Sequence, residues 1–200
     1  MLDNNRHNDS TSHLSSVLGC PNPSSQVGGF SWFALRIPYS RELKVKEMLD
    51  KKGVSTFVPM ISRRRRVGDE IEKQLVPAVT NICFVFWTRD KIDSFIRNVA
   101  EKMPVQYYCE SAGAPIIVPE KAMCDFMTIA SSMDEELIYL TEISSKFQES
   151  QSVKVKSGTL AGVKGKLVRI RKSRRILVEL PGMLAIASAF VKPEDVETLN

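Results

Sequence analysis

Histidine is nearly absent from this 200-residue chain. The two that occur, His7 and His13, stand in a polar N-terminal stretch. The part able to fold therefore offers no imidazole for a catalytic triad, for general base work or for zinc. The four cysteines, Cys20, Cys83, Cys109 and Cys124, form no CxxC pair and read as reduced, mostly buried thiols. No run approaches the roughly 18 apolar residues of a membrane span. A signal peptide's apolar core is missing too, since Leu14, Val17 and Leu18 stand among Ser, Asn and Asp. These absences point to a cytoplasmic protein without membrane association, metal or cofactor. No enzyme is expected either. A deep pocket around Cys109 or Cys124 with a shifted acid would reopen that reading.

Charge is plentiful but uneven. Between Arg36 and Arg66 ten Lys or Arg face three acids, and between Lys154 and Arg175 nine face none. Asp134 to Glu149 holds five acids and one Lys. Two basic bodies joined by an acidic segment, with net charge +5, suit a polyanion or an acidic protein surface. Ordinary solubility is the plainer account of the net charge.

Residues 1–29 are rich in Asn, Ser and Asp and end in Pro and Gly, which predicts a disordered tail. The most apolar run, Val79 to Trp87, predicts a central strand buried on both faces. A first strand is expected from Trp32 to Ile37, then a helix from Arg41 to Lys52 with Ser40 as its N-cap. Leu43, Val45, Met48 and Leu49 form that helix's apolar face, and Gly53 stops it. Thr56 to Ile61 reads as a second strand, and Arg63–Arg66 with Gly68-Asp69-Glu70 as a charged hairpin tip. Asp90 can cap a second helix carrying Ile92, Phe95, Ile96 and Val99 inward. Val105 to Cys109 reads as a strand. Pro119 opens a third helix that turns Ala122, Met123, Phe126, Met127 and Ile129 inward. This is an α+β domain over 30–133, with helices on an antiparallel sheet. Residues 134–152 read as a linker whose one apolar piece, Leu137 to Leu140, can dock. Residues 153–200 alternate apolar and basic positions between Gly turns and predict a small β-barrel.

The sequence from Val153 to Leu167, with Gly158, Gly162 and Gly165, resembles a KOW motif. Upstream, Trp32-Phe33-Ala34-Leu35, the basic helix, Phe57-Val58-Pro59, the charged hairpin and Ile82 to Phe86 resemble the N-terminal domain of NusG-type elongation factors. Within that family the chain is most similar to UpxY-type antiterminators of capsular polysaccharide operons, on Ile138-Tyr139-Leu140 and Leu184 to Phe190. Thr80-Asn81 stands where the general factor has Pro-Gly.

The resemblance implies a factor that binds the clamp helices of RNA polymerase, suppresses pausing and promotes read-through, with no bond made or broken. It places polymerase contacts at Trp32, Phe33, Phe57, Val79, Ile82 and Phe84, several of which can equally be core. Candidate nucleic-acid contacts, to non-template DNA or a nascent RNA leader, are Arg41, Lys44, Arg63, Arg64, Arg65, Arg66, Thr80 and Asn81. Four successive arginines also suit a merely solvated hairpin. Lys164, Lys166, Arg169, Arg171, Arg174 and Arg175 read as a basic face on the barrel, a domain that recruits the ribosome or Rho in the general factor. The implied protein is a monomer. A general NusG factor and a ribosomal-type RNA-binding module are the competing readings.

Overall fold

The computed structural model describes residues 29–132, 135–142 and 150–199. All of the expected tail but Gly29, and part of the expected linker, lie outside those residues. In chain order the first half holds β1 (Phe30–Arg36), α1 (Glu42–Asp50), β2 (Ser55–Phe57), β3 (Met60–Val67), β4 (Glu70–Pro77), β5 (Ile82–Thr88), α2 (Arg89–Val99), β6 (Gln106–Tyr107), β7 (Ile117–Val118) and α3 (Glu120–Ser131). The second half holds β8 (Ile138–Leu140), β9 (Ser152–Val155), β10 (Lys164–Ile170), β11 (Ser173–Leu180), β12 (Leu184–Ala187) and β13 (Val196–Thr198).

The first sheet is antiparallel, ordered β2-β5-β1-β6, with β7 also on β1. Strand alternation divides its side chains between two cores. Trp32 opposes Phe86 and Ala34 opposes Phe84, while Phe33 opposes Val85 and Leu35 opposes Cys83. Opposed residues share a face. Phe33, Leu35, Cys83 and Val85 therefore pack together under α1 and α2, with Val45, Leu49, Ile92 and Phe95. Trp32, Ala34, Ile82, Phe84 and Phe86 pack on the other face against Met123, Phe126 and Met127 of α3.

Several local expectations change. Ser40 does not cap α1: Arg41 holds that position without a side-chain bond, and Ser40 sits at φ 52°. Leu43 is 44% exposed. The inward stripe runs Glu42, Val45, Leu49, and Leu43 lies roughly 100° round the helix from Glu42. The N-cap position of the second helix is Thr88 rather than Asp90, and it too lacks a side-chain capping bond. The strand expected over Thr56–Ile61 breaks at Val58-Pro59, where proline offers no N–H to a ladder. The arginines lie along β3 and not at the hairpin tip, which is Gly68-Asp69.

The second sheet is antiparallel, ordered β13-β9-β10-β11-β12-β8. Among the described residues it is open, with β13 and β8 at its edges. The anticipated barrel closure is not formed by hydrogen bonding, because the outer side of β12 is taken by β8. The motif glycines do different work. Gly158 and Gly162 turn the chain at φ 80° and 88°. Gly165 lets β10 approach β11, for a Cβ there would lie 2.5 Å from the Leu177 carbonyl oxygen.

α3 lies between the sheets. Its buried residues join Trp32 and Phe84 on one side to Val153, Ile176, Val178 and Ile186 on the other in one continuous cluster. Each fully buried side chain of this kind contributes about 1.5–3 kcal/mol. Two polar ties accompany the packing. Lys121 Nζ donates to the Gly162 carbonyl at 3.3 Å and pairs with Asp125 at 2.5 Å. Asp125 in turn accepts the Lys164 backbone N–H. Asp125 is buried, and desolvation raises its pKa against the lowering effect of Lys121 and Lys164.

Candidate functional site

A groove of about 670 Å³ opens where the start of α1, the hairpin, the turn before β5 and the β8 segment meet. Leu43, Val76 and Val79 supply apolar wall, and Arg63, Arg64 and Arg65 supply charge. Ladder register explains the arrangement. Arg63 opposes Gln74 and Arg65 opposes Glu72, so these share one face of the hairpin. Arg64 opposes Lys73 and Arg66 opposes Ile71 on the other. The like charges of Arg64 and Lys73 share one counter-ion, Glu135, at 3.2 and 2.8 Å. Lys73, with Arg64, holds the Glu135 carboxyl below its ordinary range. Arg66 pairs with Asp69 at 3.6 Å near the tip.

Thr80 is exposed and lines the groove. Asn81 is explained by conformation. It sits at φ 65°, a region Asn tolerates better than most residues. Its backbone carbonyl accepts Ile37 N–H at 3.0 Å, and its Oδ1 accepts Ser40 N–H at 3.2 Å. One polar atom of a candidate base reader thus pins the turn. Arg41 is exposed, donates to the Lys102 carbonyl at 3.2 Å and stands 5.7 Å from the Tyr39 ring centre. Lys44 is exposed but does not line the groove.

The six polymerase-contact candidates do not form one open depression. Trp32, Ile82 and Phe84 are buried beneath α3. Phe57 is half-buried, edge-on to Phe126 at 6.2 Å. Phe33 faces the opposite core, since it is adjacent to Trp32 in a strand. Val79 alone reaches the groove, half-buried.

Two features of the groove, and one residue next in sequence to its wall, escape a sequence reading. Glu42 lines the groove and is buried, with Oε2 lacking a hydrogen-bond partner. Its place at i to Val45 and Leu49 at i+3 and i+7 was the available signal. Tyr139 crosses from β8, donating to the Met60 carbonyl at 3.3 Å and packing on Phe126 at 6.2 Å. Burial pushes its phenol up to about 12. Tyr39, 74% exposed at φ 65° beside Arg41, offers a flat surface for stacking.

The basic face expected on the second sheet is divided. Lys164, Arg169, Arg171 and Arg174 are exposed, and Lys166 pairs with Glu179 at 3.2 Å. Arg175 is buried, with Nη1 donating to the carbonyls of Glu136 and Ser188 at 2.7 Å each. Alternation accounts for this: Arg175 opposes inward Val168, whereas Arg174 opposes Arg169. Of the cysteines, Cys83 is pushed up to about 12 by burial, Cys109 is exposed and Cys124 half-buried. Among the described residues no three His, Cys, Asp or Glu converge as metal ligands, and no helix is long and apolar enough to cross a membrane.

Residues 30–127, from β1 into α3, match the family described as "Transcription termination factor nusG". No curated protein matches the chain. Over that span the chain is NusG-like, which supports a transcription factor of the elongation or antitermination kind.

Proposed function

We propose that this NusG-like chain binds RNA polymerase and acts as an operon-specific antiterminator, of the kind that serves capsular or surface polysaccharide operons. The observation that carries the reading is the groove. It lies within the family-matched span for most of its wall and sets apolar Leu43, Val76 and Val79 beside three arginines. The apolar part suits a protein surface such as the clamp helices. Arg63 and Arg65, with Arg41 and Tyr39 nearby, suit a phosphate backbone and a stacked base from non-template DNA or the leader RNA. The factor works in the cytoplasm by population shift: binding that favours the closed clamp depletes the paused state by its differential affinity, without a chemical step. The second sheet, with its KOW-like glycines, recruits a further partner such as the ribosome or Rho. Exposed Arg169 and Arg174, side by side, favour RNA as the rival ligand of that half.

The test is retention on immobilised core RNA polymerase from the same organism. Val79→Asp should weaken retention at least tenfold, about 1.4 kcal/mol, as expected for an interface position that matters. Arg63→Ala with Arg65→Ala should leave polymerase binding in place and lower the salt slope for an oligonucleotide by about one per lost phosphate contact. Retention unaffected by Val79→Asp would remove the groove from the polymerase contact.

A further inference from the structure

The helix-covered face of the first sheet carries a second groove. It lies between α1 and α2, has a volume of about 480 Å³ and shares no residue with the groove assigned to polymerase. Met48, Trp87, Phe95 and Val99 form its apolar lining. Phe95 and Val99 belong to the core beneath the two helices, and Met48 and Trp87 are half-buried against it. The groove is thus a place where that core reaches the surface. Helical spacing builds one wall, since Lys91, Phe95 and Val99 at i, i+4 and i+8 share a row of α2.

The charges in this groove are of one sign. Lys91 stands on the α2 wall, Lys52 stands just past the end of α1, and no acid lines the space between them. The neighbouring lysines of α1 are neutralised locally, Lys46 by Asp50 and Lys51 by Glu47. Lys52 and Lys91 form no ion pair among the described residues. The Lys91 ammonium lies 5.8 Å from both the Phe30 and the Trp87 ring centres, which keeps it beside the apolar lining. Ser94 and Asn98 are exposed, so the α2 wall is open to water. A small-molecule cleft encloses most of its ligand, and this one does not. Its shape suits a third helix laid between two, with apolar side chains inward and a lysine on either flank.

We propose that the α1–α2 groove docks an acidic amphipathic helix of a partner protein. That helix sets aliphatic or aromatic residues at i, i+3 or i+4 and i+7 against Met48, Trp87, Phe95 and Val99. Asp or Glu on each side of the stripe meets Lys52 and Lys91. The apolar anchors supply most of the affinity, because exposed ion pairs stabilise weakly, and the lysines select the sign of the partner. The two grooves are separate, so the first half holds this partner and polymerase together. That last consequence rests on the polymerase reading; the docking itself does not.

The chain has two tryptophans, Trp87 in the groove and buried Trp32 as an internal reference. The probe is a synthetic helical peptide of about four turns, with leucines along one face and glutamates flanking them. Titrated into the full chain, it should shift tryptophan emission, and the shift should vanish in Trp87→Phe. Lys52→Glu with Lys91→Glu should weaken binding at least tenfold. The same variant should gain affinity for a peptide with lysine in place of glutamate, which shows that the variant is folded. Emission unmoved at high peptide, equal affinity of wild type and variant, or equal binding of the glutamate and lysine peptides overturns the proposal. A shift produced by monomeric dodecanoate and not by the peptide overturns it in favour of a small amphiphilic anion. Dimerisation that itself shifts Trp87 emission and excludes the peptide overturns it in favour of a second copy of the chain. Retention on polymerase is read separately, so failure here leaves that reading intact.

Discussion

The two faces of the first sheet are made from alternate residues of the same strands, yet they rely on different parts of the chain. Phe33, Leu35, Cys83 and Val85 are sealed by α1 and α2, helices close to them in sequence. Trp32, Ala34, Ile82 and Phe84 are sealed by α3, whose far side is covered by the second sheet. One core is local and self-sufficient. The other is shared, so the second half of the molecule is part of what buries Trp32 and Phe84. Aromatic residues in a strand opening are therefore weak evidence for a surface site until the covering element is known.

The largest test of this difference is Phe126→Ala against Phe95→Ala. Both remove a buried ring and should cost about 3–5 kcal/mol. Native-state hydrogen exchange should separate them: Phe126→Ala accelerates exchange in β11 and β12, and Phe95→Ala leaves those strands protected. Similar acceleration in both would dissolve the distinction between a local and a shared core.

Next is Gly165→Ala. The added methyl meets the Leu177 backbone oxygen and Ile176 Cγ2, at 2.5 and 2.7 Å, and neither is the end of a flexible side chain. The expected loss is about 1–3 kcal/mol by denaturant titration. Gly158→Ala meets open space and carries only the left-handed penalty, about 1–2 kcal/mol. The contrast lies within the second half: its sheet tolerates less where two strands approach closely than at its turn.

Asn81 offers a smaller effect. Asn81→Ala should cost about 1–2 kcal/mol because it keeps φ 65° without asparagine's tolerance. Asn81→Gly should recover most of that, losing only the Oδ1 bond to Ser40 N–H. If the glycine variant keeps leader discrimination, the residue shapes the turn; if discrimination disappears at unchanged stability, it reads a base.

The smallest effect concerns two acids of opposite sign. Glu135 has a lowered pKa, so its contribution is present above the ordinary carboxylate range and lost as pH falls through the lowered value. Asp125 has a raised pKa, so its contribution is largest in acid and declines as pH rises from the ordinary value through the raised one. Denaturant titration across acid pH should show Glu135→Gln flattening the acid side of the profile and Asp125→Asn removing a decline in the opposite direction.

The sequence made the helices and the central strand legible because periodicity reports one face at a time. Ile92, Phe95 and Val99 are buried as their spacing implies, and so are Met123, Phe126 and Met127. It could not say what lies against a face. That is why Leu43 reads as core but stands exposed, and why Arg175 reads as surface but is buried against Glu136. The arginines of the groove were visible as a run, but their division between two hairpin faces follows from register, which a run of identical residues cannot specify. Tyr139 and Glu135 belong to the site through tertiary approach alone.

The most direct test of the functional account is single-round transcription by the cognate polymerase, with and without the protein, on two templates that end in the same terminator. One carries the leader of the protein's own operon and the other an unrelated leader. The account predicts read-through on the first template alone, diminished by Arg63→Ala with Arg65→Ala. Equal read-through on both would contradict operon specificity and indicate a general elongation factor, and no effect on either would contradict the transcriptional role itself.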